Sequence, residues 1–201
     1  MKMKNRLIAS MLMILLAVPL AAQAADKAAT AALGQRATLM QTLGRGAPMT
    51  SNNEQYQVLS GARAARSKSQ ELPQQTLSRY GGGQLIETKG AFVVFTAAQQ
   101  GGASVIQVNG ATSYPTVLNV NTGGIGILPG TLVVKLKNMA NARAVAADHG
   151  LELVRAFAHL QTAFYRVKPG QDVVAAAAAL TADARVASAE AEVIEHMKVP
   201  N

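Results

Sequence analysis

The order of hydrophobic periods after Leu128-Pro129-Gly130 constrains this chain more than any other feature. Residues 131–137 alternate: Leu132, Val134 and Leu136 point one way, Thr131, Val133, Lys135 and Lys137 the other, which predicts a half-buried strand. A short helix over 141–149 follows, with Ala144, Val145 and Ala147 inward and Gly150 at its C′ position. Residues 151–157 read as a second strand, and 163–167 as a third, reached through Gln161. Lys168-Pro169-Gly170 is a turn, and Asp172 is placed to cap a helix over 173–182. That helix carries Val173, Ala177 and Leu180 on one stripe, with the alanine run 175–179 close against the sheet. A last strand begins at 186–190. With right-handed crossovers, this βαββαβ order gives an α+β, ferredoxin-like unit: an antiparallel four-stranded sheet with both helices on one face. The other face of such a sheet is left bare, either solvated or available for docking.

Upstream, four segments precede this unit. Lys2, Lys4 and Arg6 open the chain, an apolar run covers 7–20, and Ala22-Gln23-Ala24 offers small residues to a signal peptidase. The run is short against the about 20 residues of a membrane span. Residues 1–24 therefore read as a signal peptide, leading to a periplasmic or secreted protein with no stable membrane anchor after cleavage. Residues 26–45 suggest a helix ending at Gly44, and 46–75 read as loop with one short strand at 56–59. Strand-prone runs at 84–88, 91–96, 104–108 and 116–120, separated by Lys89-Gly90, Asn109-Gly110 and Asn121-Thr122-Gly123-Gly124, suggest a small β-meander over 81–128. The predicted organisation is thus 1–24 signal, 25–128 helix, loop and β-rich region, and 129–201 ferredoxin-like unit.

Composition narrows the chemistry. With no Cys, stability must come from packed apolar surface rather than disulfides. The net charge of +8 falls to +5 beyond the signal, and without Trp the chain lacks stacking platforms for bases, so nucleic acid is not an expected partner. Gly81-Gly82-Gly83 lacks the Lys-Ser/Thr and the following helix of a phosphate loop. His149, His159 and His196 have no ligand spacing, so no metal is expected, and no cofactor. Asp148-His149 sits without a nucleophile elbow, so no catalytic residue is assigned and the chain does not read as an enzyme.

Several motifs of the last third resemble subtilisin-type protease prodomains, the inhibitor I9-like module. Pro129-Gly130-Thr131-Leu132-Val133-Val134-Lys135-Leu136 resembles their first strand, His149-Gly150-Leu151 their first helix stop, and Phe164-Tyr165-Arg166-Val167 their third strand. The run from Asp183 to Glu192 is similar to their D-P-x-V ending, with Ala184 where Pro is common. A long N-terminal part followed by such a module is also similar to external chaperones of secreted kexin-like serine proteases.

The resemblance implies a binding protein: a chaperone and inhibitor acting on a subtilisin-type serine protease. The bare sheet face would pack on two parallel protease helices. Glu190 and Glu192, which by themselves read as solvated charges on an edge strand, would cap the helix N-termini. The tail Val193, Ile194, Glu195, His196, Met197 and Lys198 would enter the cleft as a strand, with Asn201, the chain end, as a competing register. The alternative is a periplasmic β-rich binding or envelope-structural protein in which the ferredoxin-like unit only mediates assembly.

Overall fold

The structure is a computed structural model that describes residue 38 and residues 41–97 and 102–195. The chain divides into two compact units, Met1–Thr42 and Leu43–Asn201. Of the first, Thr38, Gln41 and Thr42 are helical; the signal segment and most of the helix expected over 26–45 lie outside the described residues. The second unit carries two sheets, one of seven strands and one of four.

The four-stranded sheet is the ferredoxin-like plan read from the sequence. Its strands are β8 (Thr131–Leu136), β9 (Glu152–Phe157), β10 (Thr162–Arg166) and β11 (Val186–Ala191), in the order β11-β8-β10-β9. All three pairings are antiparallel. Leu132, Val134 and Leu136 are fully buried against the helices, as their alternation requires. Two helices cover that face, α2 (Ala142–Asp148) and α3 (Val173–Thr181). Asp172 accepts from Ala175 N–H at 2.9 Å and caps α3.

Two helix faces differ from expectation. In α2 the buried set is Ala142, Val145 and Ala146, while Ala144 and Ala147 are exposed. A 3-10 turn over Met139–Asn141 places the first helical residue at Ala142, and the inward stripe follows from it at i, i+3 and i+4. In α3 only Ala176 and Ala177 of the alanine run pack against the core, and Ala175, Ala178 and Ala179 face outward.

The region before Pro129 corrects the sequence reading more substantially. Residues 46–75, expected to be loop with one short strand at 56–59, instead carry β1 (Arg45–Ser51) and a β2 (Glu54–Arg66) that extends well beyond the expected strand, an antiparallel hairpin. Its turn residues Asn52 and Asn53 have φ of 49° and 63°, the left-handed pair that a two-residue hairpin needs. A helix α1 (Pro73–Arg79) then leads to β3 (Leu85–Lys89) and β4 (Phe92–Thr96). β5 (Ile106–Val108), β6 (Ala111–Asn119) and β7 (Ile125–Ile127) follow. These are not a meander. β2 inserts between β4 and β6, giving the order β3-β4-β2-β6-β5, with β1 also on β2 and β7 also on β6. As the centre of the sheet, β2 is buried on small residues: Ala62, Ala64 and Ala65 are each 0 % exposed. Intrinsic strand preference is weak for Ala; position between two neighbours decides the outcome.

Pro129-Gly130 separates the two sheets along the chain, but their cores join. Tyr56, Val58, Val105 and Val117 of the first region pack in one cluster with Leu132, Val173 and Ala191. The segment after Gly102 stitches them: Ser104 bridges Asp172, Val105 N–H donates to Gln171 C=O (3.3 Å), and Val173 N–H donates to Ala103 C=O (3.0 Å). On the other side of the stitch, the buried Arg63 donates to Ser104 C=O (2.8 Å), Ser113 C=O (2.7 Å) and Ser113 Oγ (3.1 Å). The seven-stranded sheet therefore meets the end of the second layer where β8 starts, β11 finishes and α3 begins.

Candidate functional site

The face of the four-stranded sheet away from α2 and α3 carries a distinct set of side chains. Register places Phe164 opposite both Val133 of β8 and Arg155 of β9, and Thr162 opposite Phe157. The rings of Phe157 and Phe164 meet edge-on at 5.8 Å, and the Arg155 guanidinium lies 5.7 Å from the Phe157 centroid. Lys135 and Ser188 face each other on the same side, as do Val133 and Glu190. This is an apolar centre with a charged rim on a face that no helix among the described residues covers. Beside it, a pocket of about 480 Å³ between the sheets is bordered by Thr131, Arg166, Arg66 and Phe92.

The acidic pair sits at the end of β11. Glu190 accepts from Asn52 N–H of the β1–β2 turn at 3.0 Å, so one of its oxygens is engaged within the chain. Glu192 is exposed, and its backbone N–H is held by Thr131 C=O at 2.9 Å. Of the two, Glu192 is the one the fold presents outward.

The tail residues that the structure describes pack within the chain. Val193, Ile194 and Glu195 do not leave the molecule; they lie along the seven-stranded sheet. Ile194 and Ile127 of β7 exchange both backbone hydrogen bonds, at 2.9 and 3.0 Å. Val193 packs over Gly126, where a Cβ would come within 2.5 Å of its Cγ1. The Glu195 carboxylate enters a polar receptor: Tyr56 Oη (3.0 Å) and Asn119 Nδ2 (3.1 Å) donate to Oε2, and Thr122 Oγ1 (3.0 Å) donates to Oε1. Lys89 Nζ donates to the Glu195 carbonyl at 3.0 Å. His196, Met197, Lys198 and Asn201 lie outside the described residues.

The receptor is also held by contacts of its own. Asn119 is 1 % exposed, and its Oδ1 accepts from Asn121 and Thr122 N–H at 2.9 and 3.1 Å, so its amide nitrogen must aim at Glu195. Burial, followed by the bond to Glu195, pushes the Tyr56 phenol up to about 12, so it stays a donor throughout the physiological range. Sequence reasoning missed Tyr56, Asn119 and Thr122 because they stand 139, 76 and 73 residues from Glu195. The usable signal was Gly124-Ile125-Gly126: two glycines two residues apart, at the entry to and within a short strand, mark a close backbone approach.

His149 is paired with Asp183 at 3.0 Å rather than with its neighbour Asp148, which takes Arg185 at 2.8 Å. The cluster ties the end of α2 to the start of β11. Among the described residues no group of three or more His, Asp or Glu side chains is placed to hold a metal ion.

The family model described as the Open reading frame 2 N-terminal domain matches residues 26–200. The chain belongs to that family. A search of curated proteins gives no match. Among solved structures, this Open reading frame 2 N-terminal domain protein is similar to a chain in the crystal structure of the Aeromonas sobria serine protease (ASP) and chaperone (ORF2) complex. The identity is 27 %, the match covers 49 % of this chain and 100 % of that one, and the TM-score is 0.37.

Proposed function

We propose that this protein is an exported chaperone and inhibitor of a subtilisin-like serine protease. The observation that carries the reading is the uncovered face of the four-stranded sheet, with Val133, Phe157 and Phe164 at its centre. The strand at its edge, β11, leads directly into the C-terminal segment. A flat sheet face with an aromatic centre fits a pair of parallel helices on a partner. Glu192, exposed at the end of β11, supplies the anionic group for the helix N-termini there, and Glu190 stabilises the turn beside it. The segment after Glu195 enters the cleft. Export follows from the signal at residues 1–24.

The test is to mix the purified protein with the Aeromonas sobria serine protease and with a subtilisin, and to measure peptide hydrolysis, complex formation and recovery of activity after denaturation. Inhibition and faster recovery are expected. Deleting residues 196–201 should abolish inhibition and retain most docking. Phe164→Glu, which puts a charge at the centre of the face, should weaken docking by about a hundredfold or more. A protein that neither binds, inhibits nor refolds either enzyme refutes the reading.

A further inference from the structure

The described tail residues meet Tyr56, Lys89, Asn119, Thr122, Gly126 and Ile127, all from the part of the chain that precedes the ferredoxin-like unit. Three features show that this surface is shaped for them. The amide of Asn119 is oriented by two backbone N–H groups before it meets Glu195. Gly124 and Gly126 leave space that a Cβ would fill, at 2.5 Å from Glu195 Oε1 and 2.5 Å from Val193 Cγ1. Ile194 completes a two-bond pairing with Ile127. Side-chain donors, space and backbone pairing converge on three consecutive residues.

We infer that Glu195 is a positioning residue: it latches the tail to the seven-stranded sheet and so fixes where, and in which direction, the segment after it leaves. This rests on the inhibitory reading above and deepens it. It gives residues 43–128 a task, that of holding the tail.

The latch acts by pre-ordering, not by tether length. Freeing residues 193–195 lengthens the tether between β11 and the segment after Glu195 by only three residues, which lowers its effective concentration about twofold at most. Ordering three backbone residues at the moment of binding carries a larger cost, so loss of the latch should weaken inhibition by about tenfold or more.

Glu195→Ala in the full protein tests this. Amide hydrogen exchange on the free protein should accelerate at Ile194 and Ile127 and stay unchanged in the four-stranded sheet. Against the Aeromonas sobria serine protease, the inhibition constant should rise about tenfold or more while docking of the same variant, measured with its residues 196–201 removed, keeps the affinity of the equally truncated parent. Adding Ile127→Cys and Ile194→Cys to Glu195→Ala restores the latch covalently, since a hydrogen-bonded antiparallel pair lies about 5.5 Å apart at Cα, within disulfide reach. Inhibition should return when the pair is oxidised and fall again with dithiothreitol. Unchanged exchange in Glu195→Ala overturns the latch. Faster exchange with an unchanged inhibition constant overturns the positioning role. A parent protein that does not inhibit at all sinks the functional reading instead, and the exchange result still decides the latch.

Discussion

Arg63 lies in the middle of the molecule with 2 % of its surface exposed, and its hydrogen-bond acceptors are carbonyl and hydroxyl oxygens rather than a carboxylate. Burial pushes its guanidinium down from 12.5 to about 10, which corresponds to about 3 kcal/mol of unfavourable charge burial near neutral pH. The bonds to Ser113 and to the stitch residues Gly102 and Ser104 oppose that cost. Arg63→Lys keeps the charge but replaces the planar fork with one ammonium, which reaches one or two of the acceptors. It should lose about 3–5 kcal/mol of stability. Arg63→Met removes the charge and fills similar volume, leaving neutral acceptors unmatched, and should lose about 1–3 kcal/mol. The apolar substitution is therefore expected to be milder than the conservative one. Because the protein has no Trp, urea unfolding is best followed by circular dichroism. An Arg63→Lys variant within about 1 kcal/mol of the parent, or one more stable than Arg63→Met, refutes the reasoning.

Tyr165 is fully buried and donates to Ala142 C=O at 3.0 Å, so Tyr165→Phe should cost about 1 kcal/mol in the same unfolding experiment. Gly130 has φ +84°, and an added Cβ would meet Val105 and Val167 at 3.0 and 3.1 Å; Gly130→Ala should destabilise by about 1–3 kcal/mol, visible as a lowered urea midpoint. Asp183 is held well below the usual carboxylate range, chiefly by the Arg185 guanidinium, then by Arg185 N–H and His149. A carboxyl lowered on folding stabilises the native state above its unfolded value and gives that up as pH falls through the acid range. The acid limb of the stability curve should therefore be shallower in Asp183→Asn than in the parent, and equal slopes measured between about pH 5 and pH 2 would contradict this.

What the sequence exposes is whatever is decided locally. Leu132, Val134 and Leu136 alternate because one face of β8 is buried, and Asp172 and Gly150 declare helix ends within a few residues of themselves. What it conceals depends on partners far along the chain. β2 is composed of Ala, Ser, Gln and Arg as well as apolar residues, and it is a strand because β4 and β6 flank it. The same holds for the tail. Glu195 read as part of a cleft-binding tail starting at Val193, because its receptor comes from β2, β6 and the turn after β6. The uncovered sheet face was legible, because the element order leaves it no helix. The pairing of Glu190 with the β1–β2 turn was not, since Asn52 stands 138 residues away.

That last contact is one of several that join opposite ends of the described fold: Ser51 Oγ donates to Ala191 C=O across 140 residues, and Tyr56 reaches Glu195 across 139. A loop of that length carries an entropic closure cost of about 4 kcal/mol before any contact rewards it. The first hairpin and the last strand thus seal late in folding, after both sheets exist to bring them together. During vectorial synthesis, β1 and β2 are made long before their acceptors. Chains stalled before residue 191 should leave this hairpin edge open to protease, and completed chains should close it. Residues 193–195 then acquire their fixed course only after both sheets have formed, so the order of the tail is among the last features of the fold to be set.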